Sequence, residues 1–400
     1  LNLLYFTQLF HPYVFGGGEY IFFLFAREFA KRGHNIHVIT QRLSDTVPYE
    51  KVEGIHVHRV GSEYSYKGTL PPTIGHNLDY LLNAFRKGRQ IISEEKKGGN
   101  AIDLIHSNTY VPVLAGYACS RLYHVPHIVT FHDVYQASDK TFWKQWRTKQ
   151  ESNLPFYAPL MSKLVEDLIL KLQVSAFHTV SETTKEDLTS FGVNTEKIVV
   201  IPNGIEQMAN TTESDNEELQ QPTAVFVGRL VHYKNVDTVI KAFRNVIKSV
   251  PNAKLIIIGD GPYRSSLLQE AEDIKDSIEF VGRVSEAEKV RLIASSYFMV
   301  FPSLIEGFGI AIIEGFALKK PVLVSDVRPP SDIVKNDYSG FVIPAFDATA
   351  WAERIVQLFT DNDKRRKMSG NAFDEFSTKY ELSHVIDSMA LLYETTKSGR

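Results

Sequence analysis

The feature that most constrains this chain is an alternation that runs through it twice: short, β-rich apolar runs separated by amphipathic stretches of helix length. In the first half the apolar run Leu1–Phe6 leads through Gly16-Gly17-Gly18 into a helix from Glu19 to about Arg32, closed by Gly33. The runs Asn35–Thr40, Ile55–Val60, Leu104–Ser107, Ile128–Phe131 and Ala176–Val180 follow. The alternation restarts with strands at Thr223–Val227, Lys254–Ile258, Ile278–Val281, Phe298–Phe301 and Val322–Ser325. Between them lie helices at Val236–Val250, Tyr263–Asp273, Glu286–Ser295 and Ala311–Ala317. Strands that are apolar on both faces, joined by helices, predict parallel sheets covered on both sides. Gln207–Gln221 holds almost no apolar residue and reads as a linker or exposed excursion. The expectation is an α/β protein of two doubly wound, Rossmann-like domains, 1–205 and 206–381, facing each other across a cleft. In such sheets ligands lie beyond the carboxyl ends of the strands, so the loops after strands are the ones to inspect.

Composition removes several function classes. With 400 residues, 44% hydrophobic and 23% charged, the chain is long enough for two cores and is not disordered. A formal charge of −3 argues against a nucleic-acid partner gripped through phosphates. The one cysteine, Cys119, cannot form an internal disulfide, and its Ala-Gly-Tyr-Ala neighbours suggest a buried helix thiol. No run approaches the roughly 20 apolar residues that span a bilayer, so a cytoplasmic protein, touching a membrane surface at most peripherally, is the expectation. Neither HExxH, DxD nor a closely spaced His/Asp set stands at a strand end, and no metal site is expected.

Four loops carry candidate chemistry. Gly16, Gly17 and Gly18 let backbone N–H groups approach a phosphate at a helix start, or simply make a tight turn; the dinucleotide GxGxxG pattern does not fit. After Val227 come Gly228, Arg229, Lys234 and Asn235, two cations five residues apart where a diphosphate could sit, or two solvated surface charges. The stretch Pro302–Gly315 places Glu306 at a strand end, Gly307, Phe308 and Gly309 at a helix mouth, and Glu314 within an apolar helix. With that helix beginning near Phe308, Glu314 falls almost two turns in and needs a hydroxyl or cationic partner; sugar hydroxyls are preferred to a structural ion pair. His132 and Asp133 follow the strand Ile128–Phe131; a lone histidine is otherwise a packing residue, and His11, His106 and His232 are weaker candidates on the same ground.

In order and spacing these segments resemble the retaining GT-B glycosyltransferases of family four, a group that includes phosphatidylinositol mannosyltransferases, GPI-type N-acetylglucosaminyl transferases and sucrose synthases. The resemblance rests on GGGE near the start, Arg32-Gly33-His34, TFHD at 130–133, VSE at 180–182, IPNGI at 201–205 and VGRLVHYKN from Val227. It continues through IIGDGP at 257–262, FVGR at 280–283 and the Glu306…Glu314 pair. It implies an N-terminal acceptor domain and a C-terminal donor domain, with a C-terminal helix, 382–400, crossing back to the first. Arg229 and Lys234 would bind the diphosphate, as would the backbone at Gly16, Gly17, Gly228 and Gly307–Gly309. Glu306 would meet the transferred sugar and Glu314 the ribose; His132 would lie beside the reacting centre, and Arg283 in the loop Val281–Val284 would border the base. The implied donor is a GDP- or UDP-sugar, with mannose favoured, and no metal is required. Two departures stand out: Asn235 where the family usually has glycine, and Arg328-Pro329-Pro330 with Asp332 where Gly-Gly and Glu are common.

Lys140–Lys149 holds two of the three tryptophans among four basic residues, and Arg86-Lys87-Gly88-Arg89 with Lys96-Lys97 is a second basic stretch. Both suit an anionic membrane surface, or are solvated helix faces. The acceptor is accordingly a glycan or a lipid-linked sugar. The competing readings are an epimerase or phosphorylase on the same architecture, and a sugar-nucleotide-binding subunit without catalysis.

Overall fold

The structure is a computed structural model that describes residues 1–13, 16–65, 73–108, 110–134, 137, 158–208 and 221–399, with the side chains of 158–162 left aside. The Trp-rich stretch 140–149 and most of the polar excursion, 209–220, lie outside the described residues. The chain divides into two compact units, Leu1–Asn203 with Val385–Arg400, and Gly204–His384.

The first unit runs β1 (Asn2–Phe6), α1 (Gly17–Lys31), β2 (Asn35–Leu43), β3 (Tyr49–Val52), β4 (Ile55–Tyr64), α2 (Ile74–Lys97), β5 (Leu104–Asn108) and α3 (Val111–Tyr123). It continues with β6 (His127–Phe131), α4 (Ala158–Leu170), β7 (Ala176–Thr179), α5 (Glu182–Ser190) and β8 (Ile198–Val200). Its eight strands lie in the order β3-β4-β2-β1-β5-β6-β7-β8, all parallel except β3 against β4. β3 is a strand the apolar pattern does not announce, because Tyr-Glu-Lys-Val is polar and lies at the sheet edge. It forms because Glu53 and Gly54, both at positive φ (48° and 86°), close a two-residue hairpin between Val52 and Ile55.

The second unit runs β9 (Thr223–Val227), α6 (Val236–Ser249), β10 (Lys254–Ile258), α7 (Arg264–Glu270), β11 (Ile278–Gly282), α8 (Glu286–Ser295), β12 (Phe298–Phe301), α9 (Ile310–Ala317) and β13 (Val322–Ser325). Then come α10 (Pro330–Ile333), β14 (Gly340–Ile343), α11 (Ala348–Thr360) and α12 (Asn362–Glu375). Its sheet is wholly parallel, in the order β11-β10-β9-β12-β13-β14. That is a doubly wound order whose direction reverses between β9 and β12, the crevice where such sheets take ligands. The apolar stripe of α6, with Val239, Ile240, Phe243 and Val246 buried, packs with Phe226, Phe298 and Trp351 into one core.

A last helix, α13 (Leu382–Ser398), follows a short π-turn at Phe376–Tyr380. The chain crosses itself where it enters and leaves the second unit: Ile205 N–H bonds Tyr380 O at 3.0 Å and Leu382 N–H bonds Ile205 O at 2.8 Å. Beyond that point α13 belongs to the first unit. Arg32 pairs with Asp387 at 2.7 Å and Lys397 with Asp103 at 2.9 Å. The buried Tyr393 hydroxyl lies 2.6 Å from both Tyr5 Oη and His106 Nδ1.

That hydroxyl opens a chain of buried polar groups whose direction one carbonyl sets. His178 Nε2 lies 2.9 Å from Ile201 O and must donate, since a carbonyl only accepts. A neutral His178 then accepts at Nδ1 from Thr130 Oγ1, 2.9 Å away, and Thr130 in turn accepts from His106 Nε2 at 2.6 Å. His106 Nδ1 is left to accept from Tyr393, and Tyr393 from Tyr5. His106, noted above as a weak functional candidate, is therefore a packing residue with both nitrogens engaged.

Candidate functional site

In the second unit the polar side chains gather on the loops after β9 and β12, the two strands at the reversal. Lys234 sits in a short turn, His232–Lys234, and is followed by Asn235 at φ 53°. Glycine adopts that left-handed backbone freely and asparagine better than most residues, which accounts for Asn235 in place of the family's glycine. Asn235 also secures the loop, donating from Nδ2 to Ala345 O at 2.8 Å and accepting from Thr238 Oγ1 at 2.9 Å.

The Lys234 ammonium forms an ion pair with Glu306, on side chains 12% and 20% exposed, and lies 5.1 Å from the centroid of the Phe301 ring. Arg229, five residues earlier, donates from Nη2 to the Tyr233 hydroxyl at 2.8 Å. The two loops are tied by Leu304 N–H to Tyr233 O at 2.8 Å. Thus Arg229, Lys234 and Glu306, all singled out in the sequence, belong to one arrangement. Neither Lys234 nor Glu306 is a solvated surface charge.

Gly309 holds the mouth of α9 at φ 104°, where a Cβ would also lie 2.8 Å from Ile312 Cδ1, so the position demands glycine. α9 starts at Ile310, not near Phe308, and Glu314 is its fifth residue, little more than one turn in. Glu314 is 8% exposed. Its partner is a cation that the sequence does not advertise: Lys289 of α8, whose Nζ is 2.8 Å from Glu314 Oε1 and 2.6 Å from Glu286. The cationic partner that a buried carboxylate needs is thus supplied from within the second unit. Burial pulls the Lys289 ammonium down, but the Glu314 and Glu286 charges more than offset it and the group titrates above its usual value.

Gly307 is half-buried, Phe308 is buried against Tyr380 (centroids 6.0 Å apart), and Gly228 packs on the Phe226 ring. Arg283, at the end of β11, is exposed. The loops after β9 and β10 touch backbone to backbone: a Cβ at Gly259 would fall 1.9 Å from Gly228 O.

The first unit has its own arrangement at the reversal between β1 and β5. His132, after β6, has its Nε2 3.0 Å from Asn108 Oδ1 at the end of β5. Its ring lies over α1's first turn, where a Cβ on Gly18 would come within 2.8 Å of the imidazole. Gly18 is therefore a glycine to make room for His132, while the Gly16 N–H is given to the Glu19 carboxylate at 3.0 Å. His132 is partly open to solvent yet deeply surrounded, and burial, with the nearby His178, pushes its imidazole down to about 3; it is neutral at ordinary pH. Burial likewise raises the Glu19 carboxyl, against the pull of the Glu19 and Gly16 N–H groups.

Among the described residues there is no group of three or more His, Cys, Asp or Glu placed to hold a metal ion, and no helix long and apolar enough to cross a membrane.

Two doubly wound parallel units in succession define the fold class, GT-B. Residues 15–207 match the Glycosyltransferase Family 4 model and residues 208–375 the model of Glycosyl transferases group 1, so the chain belongs to the glycosyltransferases built from these two regions in succession. It is 26% identical over 391 residues to an uncharacterized glycosyltransferase, MJ1178, of Methanocaldococcus jannaschii, covering 97% of this chain and 96% of that one. In fold it is similar to sucrose-phosphate synthase of Thermosynechococcus elongatus, with a TM-score of 0.77 at 18% identity and full coverage of both chains. It is also similar to Anabaena HepE in complex with UDP-glucose, with a TM-score of 0.73 at 17% identity, covering 98% of this chain and 99% of that one. The protein is a glycosyltransferase.

Proposed function

We propose that the chain transfers a hexose, mannose before glucose, from a GDP- or UDP-sugar to a hydroxyl of a lipid-linked sugar, with retention of anomeric configuration and without a metal ion. The observation that carries the reading is the half-buried Lys234–Glu306 pair beside Arg229 at the β9/β12 reversal. In this reaction the anomeric C–O bond to the diphosphate breaks, and charge builds on the departing phosphate. The acceptor oxygen forms the new bond on the same face, and its proton passes to the leaving phosphate. Cations held in place beforehand stabilise that charge without reorganising, which supports a reaction in which Arg229 and Lys234 do the work of a divalent metal. A diphosphate that takes Lys234 releases the Glu306 carboxylate to accept from the sugar's hydroxyls. Gly307–Gly309 supply backbone N–H groups to the diphosphate, Glu314 accepts from the ribose and Arg283 borders the base.

A membrane-facing role is supported by α2, which exposes Ile74, Leu78 and Leu82 at helical spacing ahead of Arg86, Lys87 and Arg89. Apolar side chains beside cations fit an anionic lipid surface, on the cytoplasmic side for a chain whose one thiol is buried and unpaired. The test is a nucleotide-sugar panel assayed with and without EDTA on lipid-linked acceptors, with NMR of the product's anomeric carbon. Transfer with inverted configuration, or loss of transfer in EDTA, contradicts the proposal; indifference to anionic vesicles at low salt contradicts its membrane part.

A further inference from the structure

Two carboxamides that the sequence does not single out meet at the carboxyl ends of β1 and β2 in the first unit. Gln8 Nε2 donates to Asn77 Oδ1, in the first turn of α2, at 2.7 Å and to Gln41 Oε1 at 3.4 Å. The backbone beneath them is fixed, since Gln8 O accepts from Gln41 N–H at 3.2 Å and from Thr40 Oγ1 at 3.0 Å. Gln41 is 2% exposed, yet its second amide atom, like that of Gln8, makes no hydrogen bond among the described residues. Buried amides normally find a partner for each atom.

Those two atoms are one donor, Gln41 Nε2, and one acceptor, Gln8 Oε1. Turning the amides over together exchanges the roles and again leaves one of each. A hydroxyl both donates and accepts, so neighbouring hydroxyls match the pair in either arrangement, whereas a phosphate only accepts and matches half of it. The cations on the same strands are already matched: Arg42 lies 2.6 Å from Glu63, and Arg59 pairs with Glu50. An apolar wall stands beside the amides. Tyr64, paired with Leu43 in the β2/β4 register, packs edge-on against His76, the neighbour of Asn77, with centroids 5.6 Å apart. Aromatic surface with a few fixed polar groups is what holds a small polar ring.

We infer that Gln8 and Gln41 bind two neighbouring hydroxyls of an uncharged acceptor sugar, which deepens the transferase reading above and rests on it. In that reading the diphosphate goes to Arg229 and Lys234 and the transferred sugar to Glu306, all in the second unit. The acceptor is the substrate left without a partner. α2 also joins this site to the lipid, for Leu78, 56% exposed, directly follows Asn77 on the helix that carries the apolar stripe.

The experiment applies saturation-transfer NMR to the full chain saturated with UDP or GDP. Its probes are methyl α-D-mannopyranoside, methyl α-D-glucopyranoside and the 6-phosphate of the first. Gln8→Met and Gln41→Met keep side-chain length and remove the amides, and each is expected to lower the neutral glycosides' signals about fivefold. Calorimetric affinity for the nucleotide is expected to stay within about twofold. In transfer to the same glycosides the acceptor KM rises and the donor KM does not. Thermal unfolding shows whether Gln41→Met folds; where it does not, Gln8→Met, at a half-buried position, decides. Undiminished signals in a folded variant, a loss that falls on the donor KM, no glycoside signal from the wild-type chain, or tighter binding of the phosphorylated probe overturns this proposal alone. A wild-type chain that binds neither nucleotide overturns the donor reading and this proposal with it.

Discussion

Lys234 and Glu306 lie 72 residues apart in sequence and meet as an ion pair at the ends of β9 and β12. The pairing makes a prediction about their coupling. Lys234→Ala and Glu306→Gln each weaken nucleoside-diphosphate-sugar binding and turnover, but the double variant loses less than the product of the single losses, because each removal also strands the other's charge. Calorimetry and steady-state rates on the four-member cycle check this; strictly additive losses contradict it.

Lys289 and Glu314 give a stability prediction. Their side chains are 16% and 11% exposed, so Lys289→Ala strands a carboxylate in an apolar helix and is expected to cost about 3 kcal/mol in urea unfolding. Adding Glu314→Gln should return much of that loss. A Lys289→Ala midpoint equal to wild type would show that the pair is not what balances Glu314.

The buried histidines predict how stability varies with pH. Burial holds His127 down to about 3 and His178 to about 4, and His106 well below its usual range. These groups stay neutral in the folded chain while the unfolded chain takes up protons below about pH 6.5. Their contribution is therefore complete above pH 6.5 and is lost as pH falls toward 4, at about 1.4 kcal/mol per pH unit for each histidine. Denaturant midpoints at pH 7.5 and 5.5 measure it, and a flat profile across that window contradicts the account.

Gly18 and His132 separate positioning from binding. Gly18→Ala drives a methyl group into the imidazole and should lower kcat about 10-fold to 100-fold while nucleotide affinity stays nearly constant. A fall in affinity with kcat unchanged would place His132 away from the reacting centre.

Much of this architecture can be read from the sequence, because strands such as Lys254–Ile258 and Phe298–Phe301 are apolar on both faces and stand between helical stretches. The elements that escape are those with little apolar signal or length. β3 is polar and at an edge, β8 has three residues, and β14 begins at a glycine. In the site, Arg229, Lys234, Glu306 and Glu314 are legible because each follows a strand or breaks an apolar run. Lys289 is not, since it is one lysine in the polar helix Glu286–Ser295 and its partner comes 25 residues later. The Gly18–His132 contact is equally hidden, for a glycine triplet reads the same whether its missing side chains admit a phosphate or a ring.

The central claim is that fixed cations after β9 stabilise the departing diphosphate. Its most direct test is the turnover of Lys234→Ala at saturating donor with EDTA present, beside wild type. The account predicts undiminished wild-type turnover and a loss of about 10²–10³-fold in the variant, with a far smaller loss of folding stability. Full turnover by Lys234→Ala would contradict it.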